Sequence, residues 1–305
     1  MSSKSRSNFE TDMFAIGIEQ RCSVLMVVSM VGETLTTEHI DSDISSYVSY
    51  HGRVLTALMR AINKYKGQID TFSSNQFVVS FQVGRNSNAR AINNACLAAV
   101  YLHNSVKEFS EDPNRLLYEA NKPDILITIA SGIVLSGNMG NKNKRLMCSF
   151  GPLHTLSEAM NAVNNQSLFV KIMVNDEIFQ LVQHKQPCRP IASICIEEPR
   201  QEPVYQCVYE LMICCDVGDD EWMYELDREN KRDVQTNFEN GFLHAMQQNW
   251  SEAVENFEKY VMVHPQDGLS MKMLKKCQSC LVETPASLPF QYKYKKATAE
   301  EFGPL

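Results

Sequence analysis

The chain has 305 residues, 44% of them hydrophobic, which suffices for one large domain and a smaller one with ordinary globular cores. Its net charge of -7 carries no strong basic block, which excludes the phosphate-neutralising surface that nucleic-acid binding needs. No apolar run approaches the roughly 20 residues that span a bilayer, and the polar opening MSSKSRSNFETDMF lacks a signal-peptide core, so a soluble cytoplasmic chain is expected.

In chain order, the valine-rich run Cys22 to Val28 predicts a strand buried on both faces, broken by Gly32 and the polar residues Thr34 to Glu38. Ile44, Val48, Leu55, Leu58, Met59 and Ile62 recur at helical spacing up to Gly67, where a glycine leaves the helix without steric cost. Gln68 to Phe72 and Gln76 to Phe81 predict a β-hairpin around Ser73, Ser74 and Asn75. A second helix is expected over Asn88 to Val106, with Pro113 beyond it. Asp124 to Leu135 and Leu146 to Phe150 read as strands, with Gly137 and Gly140 in the turn between them.

Further on, Leu153 to Asn164 reads as a helix, Leu168 to Val174 as a strand and Asp176 to Val182 as a short helix. Ile191 to Ile196 and Tyr205 to Met212 complete the strands. The order β-α-β-β-α-β followed by more of the same predicts an α+β, ferredoxin-like fold: one mixed sheet covered by helices. The expected organisation is an N-terminal segment (1-20), a sheet domain (21-215), an acidic linker (216-234), a helical module (235-283) and a C-terminal tail (284-305).

Over Cys22 to Met212 the chain resembles the catalytic domain of class III adenylate and guanylate cyclases. Three strings carry the resemblance in the right order: SVLMVVSMVGETL (Ser23 to Leu35), KGQIDTFSSNQFVVSF (Lys66 to Phe81) and ITIASGIVLSGNMG (Ile127 to Gly140). The family's reaction is attack of a ribose hydroxyl on an α-phosphate, assisted by two metal ions that two aspartates hold. The resemblance places those aspartates at Ser29 and Asn75, neither of which offers an anionic oxygen to magnesium. The purine-reading lysine falls on Thr71. With Gly151 as anchor, the purine-reading acid falls on Pro152, the transition-state asparagine on Thr155 and the arginine on Ala159. Both halves of the family's composite site are thus replaced, which implies a pseudoenzyme with no catalytic, metal-ligating or cofactor-binding residues.

Other side chains invite a sharper reading and a blander one. Glu33 and Asp70 are acids near the metal positions, but strand alternation sends neighbouring side chains to opposite faces. Gly137 and Gly140 suit a turn better than a phosphate cradle, and Lys142, Lys144 and Arg145 suit a solvated hairpin tip. His154 and His244 lie in no nucleophile motif. The ten cysteines read as free thiols; Cys277 and Cys280 have metal-ligand spacing, but no second pair completes a zinc site.

In the helical module, Gly241, Ala253, Phe257 and Pro265 fall at four signature positions of a tetratricopeptide repeat, and Trp250 starts its second helix. Small residues there let two helices approach while Phe257 fills the groove, and a third helix, Leu269 to Cys280, is available to cover their apolar face. The end of the chain, with Phe290, Tyr292, Lys293, Tyr294, Lys295 and Lys296, is tail-like and a candidate docking peptide. The resemblance implies an inactive cyclase-homology scaffold that forms homo- or heterodimers through its sheet domain, in a flagellar or cytoskeletal setting. Its alternative is a regulatory partner of an active cyclase, or a nucleotide-sensing pseudoenzyme.

Overall fold

The computed structural model describes residues 17-31, 40-73, 75-82, 88-110, 124-140, 145-198, 202-213, 235-283 and 288-295. Gly32 and Glu33, the Thr34 to Glu38 stretch, Ser74, Pro113, Lys142, Lys144, the 216-234 linker and Lys296 lie outside them.

Strand β1 (Gly17–Val31) leads to helix α1 (Ile40–Tyr65), the hairpin β2 (Gln68–Phe72) and β3 (Gln76–Gln82), helix α2 (Asn88–Ser110), then β4 (Asp124–Gly140) and β5 (Arg145–Phe150). Next come α3 (Pro152–Val163), a π-helical turn (Asn164–Leu168), β6 (Ile172–Asn175), α4 (Asp176–Val182), β7 (Cys188–Glu197) and β8 (Val204–Leu211). Helices α5 (235-246), α6 (Trp250–Val263) and α7 (Gly268–Val282) follow, and β9 (Gln291–Lys295) is last. The sheet runs β2-β3-β1-β4-β6-β8-β7-β9, with β5 paired to the far half of β4. The first four strands stand in the β2-β3-β1-β4 order of a β-α-β-β-α-β unit, as expected from the element order.

Both faces of the sheet are covered, which is why β1 reads as an unbroken apolar run. Val24, Met26 and Val28 join Val54 and Leu58 of α1 and Ile92 and Leu102 of α2 in one core. On the other face Leu25 shares a core with Met160 of α3, Phe238 of α5, Phe257 of α6, Met273 of α7 and Phe290. The three C-terminal helices therefore bury their apolar faces in a core continuous with the sheet, which a single helix pair needs in order to be stable. Gly241 lets α5 approach α6, because a Cβ there would stand 3.1 Å from the Phe257 ring.

A polar tie adds to this apolar core. Arg189 on β7, 4% exposed, pairs with Glu210 on β8, donates to Tyr260 Oη at 2.9 Å, and meets Asp267 through both terminal nitrogens. Its guanidinium also lies 4.6 Å from the Phe238 ring centroid. Asp267 in turn caps α7, accepting from the backbone N–H of Leu269 and Ser270.

Four readings are corrected. Gly137 and Gly140 are not in a turn, because β4 continues through both and pairs them with Cys148 and Arg145. The strand expected from Leu168 begins at Ile172: the Asn164 side chain accepts from the N–H of Val170 and donates to its carbonyl, which extends α3 as a π-turn. At the end of α1 the left-handed residue is Lys66 (φ 62°), not Gly67. Gly67 is there because a Cβ would lie 2.9 Å from Val79 Cγ1. Finally, residues 291-295 are not tail-like: they form β9, parallel to β7, anchored by Phe290, which is 1% exposed.

Candidate nucleotide site

Ser29 and Asn75 come together as the resemblance implies. Ser29 pairs with Gln76 across β1 and β3, and the next residue, Met30, donates its N–H to the carbonyl of Asn75 at 2.9 Å. Ser29 is 4% exposed; its hydroxyl is engaged on both sides. It donates to Asn161 Oδ1 at 2.9 Å and accepts from Asn165 Nδ2 at 3.1 Å. Its proton and an accepting lone pair are thus both engaged within the chain, by α3 and the π-turn. A neutral hydroxyl held between two carboxamides is a poor ligand for a hard divalent cation.

Helix α3 starts at Gly151, whose φ of 127° and ψ of -169° only glycine adopts readily. Pro152 is the first helical residue, where the fixed φ of proline suits the helix and its missing N–H costs nothing. Thr155 is 4% exposed and Ala159 fully buried in the core it shares with the C-terminal helices. The asparagine and arginine positions of the resemblance therefore lie inside the chain. Lys272 of α7 holds the π-turn from outside, donating to the carbonyl of Ser167 at 2.8 Å.

Thr71 is exposed on β2, beside a bulge between Ile69 and Thr71. Asp70 is not turned away: it stands two residues from Gln68, the partner of Ser80, and so keeps that face, to which the bulge adds Thr71. Asp70 accepts from Ser80 at 2.8 Å, on the sheet face that carries Ser29. It still stands apart from the site: Ser80 is four residues from Gln76, the partner of Ser29, or about 13 Å along the strand. Burial pushes the Asp70 carboxyl up, against the hydrogen bond from Ser80 and the charge of His154.

The remaining candidates are dispersed. His154 lies 3.0 Å from Ser149 Oγ, and His244 sits on α5. Cys277 and Cys280 are buried on α7, and burial pushes the Cys277 thiol up to about 12. No cluster of three metal-ligating side chains occurs among the described residues.

Sequence reasoning missed a cleft of about 620 Å³ between α4, the start of β7 and α5. Phe179, Pro187, Tyr209, Gln235, Glu239 and Leu243 are among its lining residues, and none of the positions considered above borders it. The Phe179 and Tyr209 rings stack at 3.9 Å. Its parts come from segments far apart in sequence that only the folded chain brings together, so no local signal marked it.

The fold is that of class III cyclase catalytic domains. The adenylyl cyclase CyaB from P. aeruginosa matches 67% of this chain and all of its own, at 14% identity and a TM-score of 0.51. The guanylyl cyclase Cya2 matches 67% of this chain and 98% of its own, at 15% identity and 0.50. A bacterial light-regulated adenylyl cyclase matches 72% of this chain and 58% of its own, at 14% and 0.51. No protein-family model matches the chain, and no curated protein matches it by sequence. Among the described residues no helix is long and apolar enough to cross a membrane.

Proposed function

We propose that the chain is a catalytically inactive cyclase-homology protein that works as a structural interaction module. The observation that carries this reading is the Ser29 hydroxyl, buried and hydrogen-bonded to Asn161 and Asn165 where a metal-holding carboxylate would stand. The buried Thr155 and Ala159 add to it, since neither has the chemistry to stabilise a developing phosphate charge.

In this reading the cyclase-like part serves as a dimerising or docking surface. The α5 and α6 pair, packed through Gly241 and Phe257 as in a tetratricopeptide repeat, supplies a second contact. A cytoplasmic setting in a flagellum or other cytoskeletal assembly fits such a role. The test is calorimetric titration with ATP and GTP in magnesium or manganese, beside a cyclic-nucleotide assay. Silence in both is expected. Binding without turnover would favour a nucleotide-sensing regulator, and metal-dependent cyclic product would refute the inactive reading.

A further inference from the structure

The cleft between α4, β7 and α5 joins an aromatic wall to a row of hydrogen-bond acceptors. The Phe179 and Tyr209 rings lie parallel, with 4° between their planes, and Tyr209 Oη donates to Asp176 Oδ1 at 3.0 Å, so the stack is held in place. At about 620 Å³ the space falls within the roughly 300 to 1,000 Å³ of small-molecule sites.

On α5, Gln235 and Glu239 stand one turn apart and both line the cleft. Gln235 is 6% exposed. Its Nε2 donates to the Cys188 carbonyl and, at 2.9 Å, to Glu239 Oε1. These two acceptors fix the carboxamide, since the opposite orientation would set oxygen against oxygen at both. Gln235 Oε1 is left buried with no donor among the described residues, whereas buried acceptors are nearly always paired. Burial also pushes the Glu239 carboxyl up, against the hydrogen bond from Gln235, and a cation beside it would favour the charged form. Among the described lining residues Glu239 is the one acid, and none is lysine or arginine. The α5 wall thus offers acceptors and a negative charge, and it lacks a donor.

We propose that the cleft binds a small organic cation, an aromatic amine or amidine, with its N–H donors on Glu239 and Gln235 and its flat body against the Phe179 and Tyr209 wall. Charge and shape select this class. An anion would meet Glu239 with no lysine or arginine of the described lining to offset it, and the chain's net charge of -7 adds to the repulsion. A neutral apolar ligand would leave Gln235 Oε1 unpaired and strip water from Glu239. A cation with a flat body meets both needs, and an aromatic wall favours it further. The site goes beyond the interaction reading above and borders none of the residues on which that reading rests.

The experiment is calorimetric titration of the full chain with benzamidine, phenethylamine and benzamide, the neutral counterpart of benzamidine. One saturable site is expected for the two cations, with benzamide at least tenfold weaker. Glu239→Gln keeps an acceptor for Gln235 and removes the charge, so it should weaken benzamidine at least tenfold. Leu243 lines the cleft and is 53% exposed, so Leu243→Trp should fill the space and abolish binding with an unchanged melting temperature. The exposed control Met262→Trp should bind as wild type does. Absence of saturation with both cations overturns the proposal. Equal affinity for benzamidine and benzamide, or binding indifferent to either cleft substitution, also overturns it. Cyclic product made from ATP or GTP by the same samples would count against the inactive reading alone and leave the cation site standing.

Discussion

The guanidinium of Arg189 and the carboxylate of Asp267, separated by 78 residues, form a direct bond between the sheet and the C-terminal helices. Asp267 holds α7 at its N-terminus with one set of bonds and β7 with the other. Removing it leaves a buried guanidinium short of a partner and a helix without its cap. Asp267→Ala is expected to cost about 2 to 4 kcal/mol in chemical denaturation, because Arg189 keeps Glu210 but loses charge-assisted hydrogen bonds worth about 1.5 to 3 and a lost cap adds about 1. Replacing Arg189 and Asp267 together, by Met and Leu, should cost less than the two single changes summed.

The same carboxylate sets an acid limb. Burial acts to raise its pKa, but the hydrogen bonds and charge of Arg189 outweigh burial and hold it below the ordinary aspartate value. A depressed folded pKa contributes stability that is present above the unfolded value, near 3.9, and is lost as pH falls through the folded one. Melting temperature should therefore drop steeply below about pH 4, and Asp267→Asn should flatten that drop while lowering stability at neutral pH.

Placing carboxylates at positions 29 and 75 should not produce a cyclase. Ser29→Asp places an anion at a buried point between two carboxamides, at an expected cost of about 2 kcal/mol or more. The Ser29→Asp, Asn75→Asp double variant should melt earlier than wild type and make no cyclic nucleotide. A melting temperature rescued by manganese would show instead that the site still assembles around a metal.

Glycines should separate by environment. Gly151→Ala forces a side chain into a φ of 127° and should cost about 1 to 3 kcal/mol. Gly241→Ala crowds the Phe257 ring and should cost about 1 to 3 kcal/mol as overpacking. Gly52, in the exposed middle of α1 with open space where its Cβ would be, should gain about 0.5 to 1 kcal/mol as alanine.

Phe290 tests whether the last strand belongs to the fold. Its ring lies among Phe242 and Phe257, so Phe290→Ala should cost about 3 to 5 kcal/mol. A mere tail residue would leave the denaturation midpoint unmoved.

Local order was legible in the sequence because it is written in neighbours. The valine run from Cys22, the helical spacing from Ile44 to Ile62 and the break at Ser73 to Asn75 each announce an element within a few residues, and their order specifies the β-α-β-β-α-β unit. The residue types at Ser29, Asn75, Thr155 and Ala159 were equally legible, since which side chain stands at a position is a fact of sequence. Tertiary structure alone decided what surrounds them. Packing of α3 and the π-turn turned Ser29 into a sealed hydrogen-bond junction, and the helices from residue 235 onward share a core with α3. Arg189 found Asp267, and Phe290 carried a tail-like segment into the sheet, through contacts that span tens of residues and leave no periodic trace. Periodicity reports which face of an element is apolar; only the packed chain determines what that face meets.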